Sequence, residues 1–508
     1  MEKRRISQIK MGSLISYASI AIGIITGLLY TPWMVKQIGQ SNYGLYTLAT
    51  SLISFFVMDF GLGSAVTRFV SKYRAEGNQE AIDNVVNTVF RLYVLIDLII
   101  AIALVGVFFF LGDIYESLTV SEMEQFKRLY IMVAVFNIVV FPFTPAAGIL
   151  TAYEKFVQLK LCDIVHKLFT VVLVIVALNI SSGVIWVVAA NIVSGLVAVV
   201  AKLIILAKNT QIKIDLRSKP ARGMYSQLFN FTMWTTIITI MQRFGNNIAP
   251  SVLGITAGSV EIAVFSPAVT LEGYFFMVGA AVGGMFLPRV SQFIAQKQEQ
   301  RVLDLMIKIG RFQVLVLGLI YIGFVCIGKD FMVLWMGPEY TKSYYCAILV
   351  LFPLIISSSL EIGNTTLIAK GILNYQAIAM IFSTSAGLIM SYVLSTYYGA
   401  IGVCVGLTLA ALARAIFMAF ICQKKGGISI LRFIKETYLR AVPLYAASAV
   451  VSLLLIRVIT LDGWIGLAVK AVVITAVFVF AAFLLYLSAE ERRKILSLRR
   501  KTHGTTVN

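Results

Sequence analysis

The chain has 508 residues, 59% of them hydrophobic and only 13% charged, against roughly 45–50% and about 25% in an ordinary soluble domain. That composition excludes a water-soluble globular fold. Forty-three Lys and Arg against 24 Asp and Glu leave a formal charge of +19; the basic residues collect in alternate loops between apolar runs, so they report membrane orientation and argue against nucleic acid as a partner.

Apolar runs long enough to cross a ~30 Å hydrocarbon core as helix predict fourteen spans. They lie near 11–36, 43–68, 85–111, 127–150, 157–179, 183–207, 225–248, 259–286, 306–328, 344–368, 375–398, 400–423, 440–459 and 463–488. With the N-terminus in the cytosol, 31 basic residues fall on the cytosolic side, six on the other and six inside spans. This bias predicts that both termini are cytoplasmic. The first run follows Lys3-Arg4-Arg5 as a signal peptide would, but it is too long and is followed by further spans, so it counts as the first helix.

In chain order, span 1 carries Pro32, and span 2 a stripe of Thr47, Ser51 and Ser54 followed by Asp59. Asp97 in span 3 and Glu272 in span 8 each stand ~18 Å into their helices, close to mid-bilayer. An unpaired charge there costs ~2.5–3.5 kcal/mol or more, so both should face a cavity or a partner and are candidates for ion coupling. In span 5, Asp163 and Lys167 are four residues apart and are expected to pair. Span 7 says more: Thr232, Thr236, Thr239, Arg243, Asn246 and Asn247 recur at three- and four-residue spacing and form one polar face. Such a face cannot look into lipid; an arginine with two asparagines in the stripe points to a water-filled interior. Thr236, Thr239, Arg243, Asn246 and Asn247, with Ser51 and Ser54 opposite, are therefore the candidate substrate-binding residues.

The chain also repeats itself. At a shift of about 216 to 221 residues, Gly183–Lys208 lies without gaps on Gly399–Lys424, and Pro32 falls on Pro250. Six spans per repeat is an even number, so the two lobes share one orientation, and the paired prolines mark helices 1 and 7 as mobile cavity walls. The expected organisation is an all-α polytopic membrane protein: an N-lobe at 1–208, a basic cytoplasmic linker at 209–223, a C-lobe at 224–424, and spans 13 and 14 with a basic tail at 425–508.

Catalytic and cofactor motifs are weak. Gly323 to Lys329 has the spacing of a phosphate loop, but Asp330 stands where Ser or Thr would hold magnesium, and no strand precedes it. Two histidines, His166 and His503, cannot build a metal or catalytic cluster, and the five cysteines form no CxxC pair. The expectation is no catalytic residue, no metal and no cofactor. Coupling to sodium, protons or the membrane potential is the remaining energy source.

The stretch Pro32-Trp-Met-Val-Lys-Gln-Ile-Gly39, then Tyr43-Gly-Leu-Tyr46, then Asp59-Phe-Gly-Leu-Gly63 through Arg68-Phe-Val-Ser71 resembles the N-terminal signature of polysaccharide (O-antigen-type) flippases. These belong to the multidrug/oligosaccharidyl-lipid/polysaccharide (MOP) exporter superfamily. The resemblance implies a multi-pass protein of the bacterial plasma membrane. It implies a cavity between lobes that opens alternately inward and outward and moves an undecaprenyl-pyrophosphate-linked oligosaccharide to the outer leaflet. Membrane lipids and polysaccharide assembly proteins are the further partners it implies. Tyr43, Gly44, Asp59, Gly61, Gly63 and Arg68 carry over as gating or packing positions, beside Pro32, Pro250 and Arg289 from the repeat. The alternatives are an ion-coupled multidrug exporter of the same fold, a lipid II flippase and, more remotely, a membrane glycan polymerase or acyltransferase.

Overall fold

A computed structural model describes residues 2–181, 183–212, 224–283, 286–370, 372, 374–488 and 491–493. The described chain is helical, with no strand among the described residues. The first eight helices are α1 (Glu2–Ile38), α2 (Gln40–Ser54), α3 (Leu62–Ala75), α4 (Gln79–Ile114), α5 (Val120–Val140), α6 (Pro145–Ala152), α7 (Phe156–Ile180) and α8 (Val184–Asn209). They are followed by α9 (Met224–Thr256), α10 (Ser259–Gly283), α11 (Leu287–Ala295), α12 (Glu299–Met336), α13 (Thr341–Ser359), α14 (Glu361–Ala369), α15 (Asn374–Lys424), α16 (Ile430–Ile456) and α17 (Gly463–Ala481). The expected linker at 209–223 lies beyond the described residues after Ile212.

Eleven helical segments are apolar and long enough to cross a membrane. One of them, α15, is two spans: its backbone leaves helical geometry at Gly399, so the expected spans 375–398 and 400–423 are both present. The two expected spans outside these segments are span 2, whose helices α2 and α3 are each too short to cross alone, and span 7, which is α9. They are the two read from sequence as carrying polar stripes. Fourteen membrane helices account for all of these segments.

Among the described residues three spans are broken rather than straight. Span 2 breaks between Ser54 and Leu62, span 4 at Phe141–Phe143, and span 10 at Leu360. Span 10 is the expected repeat equivalent of span 4, and Leu360 comes 218 residues after Pro142, within the shift found in the sequence.

The break in span 2 has a local cause. Phe60 (φ 49) and Gly61 (φ 71) both take left-handed backbone, a conformation glycine adopts without cost and phenylalanine does not. Asp59 compensates: its carboxylate accepts from the Gly63 amide at 3.1 and 3.2 Å, serving the exposed donors at the start of α3, and accepts from the Tyr93 hydroxyl on α4.

The chain packs as two compact units, 1–266 with 380–407 and 267–379 with 408–508. The border crosses α10 at Pro267 and α15 twice, so the first unit takes in α9, the start of α10 and the middle of α15. In the first unit α2 is central. Leu45, Leu48 and Ala49 are fully buried. In hydrocarbon, helices associate by close fit and not by transfer from water, which favours small residues at crossings. Gly44 is such a crossing, because a Cβ there would overlap the Ser259 carbonyl of α10. The second unit has its apolar core where α11, α12, α14 and the end of α15 converge, around Val302, Met306, Ile362, Met418, Cys422 and Phe433.

Candidate functional site

The two polar-stripe helices, α2 and α9, pack against each other inside the first unit. Their hydroxyls make the crossing. Ser51, which is buried, donates to the Asn247 carbonyl at 2.5 Å, and Thr236 donates to the Phe60 carbonyl just after α2 at 2.6 Å. Ser266 on α10 bonds Thr47 at 3.3 Å. Ser54 bonds back to the Ser51 carbonyl at 2.7 Å, satisfying itself within its own helix.

Arg243 lies on α9 between the two contact points. It is exposed, and among the described residues its guanidinium has no ion pair and no hydrogen bond. Its carbonyl receives the Asn247 side-chain amide at 3.1 Å. Thr239 is half-buried and partnered; the side chain of Asn246 lies outside the described residues. Of the sequence-predicted residues, then, Ser51, Thr236 and Asn247 are brought together as a helix crossing. Arg243 is left presenting five donors and a fixed charge beside it.

The remaining candidates separate. Asp97 on α4 is buried, and its Oδ1 has no hydrogen-bond partner among the described residues. Glu272 on α10 belongs to the second unit, where it feels the charge of Arg414 on α15 across more than ion-pair distance. Pro32 lies inside α1, and Pro250 is buried inside α9. Tyr43 and Gly44 are buried in α2, while Arg68 on α3 and Arg289 on α11 are exposed. Asp59, Gly61 and Gly63 form the break in span 2 described above. Among the described residues no group of three or more His, Cys, Asp or Glu is placed to hold a metal.

One cluster was not foreseen. At the end of the first unit that the charge bias assigns to the outside, Glu122 on α5 accepts from Ser41 of α2 at 2.6 Å and from Ser259 of α10; those two hydroxyls are 3.0 Å apart. Glu122 also closes a capping box with Thr119 at the start of α5. The Thr-x-x-Glu spacing was visible in the sequence, but the residues it would meet on α2 and α10 were not. Ser117 adds a bond to the Gly254 carbonyl at the end of α9.

A polysaccharide biosynthesis protein family model matches residues 10–293, which is more than half of the chain. The chain belongs to the polysaccharide biosynthesis protein family. No curated protein sequence matches it. Among solved structures, the lipid II flippase MurJ in an inward closed conformation has a TM-score of 0.72 at 13% identity, over 94% of this chain and 98% of that one. An inward-facing multidrug resistance MATE family transporter of the MOP superfamily has 0.62 at 15%, over 85% and 99%. The eukaryotic MATE transporter AtDTX14 has 0.60 at 14%, over 86% and 99%. The fold is the one these flippase and transporter structures share, and the family member described here is a multi-pass membrane protein.

Proposed function

We propose that this family member carries a polyprenyl-diphosphate-linked oligosaccharide, with undecaprenyl as the lipid, from the cytoplasmic to the outer leaflet of the bacterial plasma membrane. The mechanism is alternating access, and no covalent chemistry is involved. One observation carries the reading: Arg243 stands exposed and, among the described residues, unpaired beside the α2–α9 crossing of a membrane-spanning unit. A guanidinium at that depth is expensive unless an anion visits it. Its fork can take two oxygens of a diphosphate in a setting drier than bulk water, while the lipid tail stays in the bilayer.

Arg243→Ala should lower delivery of the lipid-linked glycan to the outer leaflet by about tenfold or more, the cost of one strong charged contact. Membrane insertion should be unchanged, since the side chain packs in no core. Normal delivery at normal protein level would remove the substrate role. The same-fold alternative, an ion-coupled multidrug exporter, is favoured by the intramembrane carboxylates Asp97 and Glu272. If transport of a cationic drug followed sodium or proton gradients and vanished in Asp97→Asn or Glu272→Gln, that reading would replace the first.

A further inference from the structure

Lys167 does not make the ion pair that its spacing suggests. Asp163 is taken by Lys202 of α8 at 3.0 Å and by Lys160 at 3.6 Å. Lys167 instead reaches across the seam between α7 and α1, where its ammonium lies against buried Gly23. A Cβ on that glycine would stand 2.5 Å from Nζ. Among the described residues the ammonium has neither an ion pair nor a hydrogen bond.

Position makes this unusual. Lys167 is eleven residues into α7, about 16 Å along the helix and so near the middle of a ~30 Å core. Across the helix from it, Leu161, Cys162, Val165 and Phe169 line an apolar groove with Val197 of α8. That side is suited to lipid. On Lys167's own side, Lys160 and Asp163 precede it and Val174 and Leu178, both buried, follow it. Lys167 is exposed, and its ammonium stands where this face of α7 passes from polar to packed, in a space that exists because residue 23 has no side chain. A cation at this depth is costly, and no described carboxylate offsets it.

We propose that Lys167, seated against Gly23, is a phosphate-binding cation of the first unit that takes an oxygen of the carried headgroup. An ammonium is a compact point charge and suits phosphate without bidentate geometry. The inference rests on the diphosphate reading above and adds a second contact, on α7, to the one on α9.

The test uses the full-length protein in detergent and measures binding of farnesyl diphosphate, with farnesol and phosphatidylglycerol as comparison ligands. Lys167→Met should weaken farnesyl diphosphate about tenfold, or ~1.4 kcal/mol, and leave farnesol unchanged. Gly23→Val should give the same loss by displacing the ammonium, and the double variant should be no weaker than either single one. Lys167→Gln, which keeps length and polarity, serves if the methionine variant does not fold. Unchanged diphosphate binding in a folded Lys167 variant, or losses that multiply in the double variant, would overturn the proposal. A parallel loss of phosphatidylglycerol would overturn it too, since the ligand would then be a membrane-lipid headgroup. If the unmodified protein prefers farnesyl diphosphate no more than farnesol, the diphosphate reading itself fails and takes this inference with it.

Discussion

The two compact units are held together by different chemistry. In the first, the crossings of α2 with α9 and of α2 with α5 and α10 are made by single hydroxyls on backbone carbonyls or on one carboxylate: Ser51 to Asn247, Thr236 to Phe60, Ser41 and Ser259 to Glu122; the α7–α8 pair differs, tied by Lys202 to Asp163 at 3.0 Å. In the second, distant elements are tied by ion pairs. Arg311 of α12 grips Glu491 with two bonds at 3.0 and 2.9 Å and also donates to the Tyr486 carbonyl, while Lys370 holds Glu299 and Lys470 holds Asp330. An interhelical hydroxyl bond in a membrane averages ~0.6 kcal/mol, whereas hydrogen bonds to charged groups contribute ~1.5–3 kcal/mol. The α2, α9 and α10 crossings of the first unit are thus contacts that can be broken and remade each cycle. The second is clamped.

The largest expected effect breaks the clamp. Arg311→Ala should destabilise the second unit by about 2–3 kcal/mol, seen as lower thermal stability in detergent, because it strands Glu491 and frees the π-helical turn Ala482–Tyr486. Transport by the remaining folded protein should change little. Loss of transport at full stability would mean that the clamp moves during the cycle.

Acid should act on the same clamp. Burial pushes the Glu491 carboxyl up, but the Ser488 amide and the Arg311 guanidinium outweigh it and hold it below the ordinary carboxylate range. A group depressed in the folded state stabilises above its unfolded value and loses that contribution as pH falls through the folded one. Stability should therefore drop on acidification below about pH 4, and Glu491→Gln should flatten that limb. An unchanged acid limb in the variant would assign it to other carboxylates.

Smaller effects belong to the first unit. Ser51→Ala and Thr236→Val should each cost only ~0.6 kcal/mol, with insertion and fold intact, and should alter transport rate more than stability. A loss several times larger from either would make the α2–α9 crossing a fixed joint like those of the second unit.

Much of this fold was legible in advance, because hydropathy and charge are properties of single segments. The kink at Gly399 fell between two predicted spans, and the polar stripes of spans 2 and 7 meet as α2 and α9. What could not be read are contacts set by packing. Asp59 was noticed in a glycine-rich signature, but Tyr93, which donates to it, lies 34 residues on and on another helix. Asp163 was matched with Lys167 by spacing along one helix, whereas the α7–α8 contact delivers Lys202 instead. Glu122 entered no reading of the sequence, because only the packing of α2 and α10 brings their serines to it.

That last cluster gives the most direct test of alternating access. Ser41 and Ser259 hydroxyls are 3.0 Å apart, so cysteines at both positions should form a disulfide readily. If the α2 and α10 ends must part in each cycle, oxidation of the Ser41→Cys/Ser259→Cys protein should stop transport, and reduction should restore it. Efficient crosslinking with transport continuing at the uncrosslinked rate would contradict a mechanism in which this end opens.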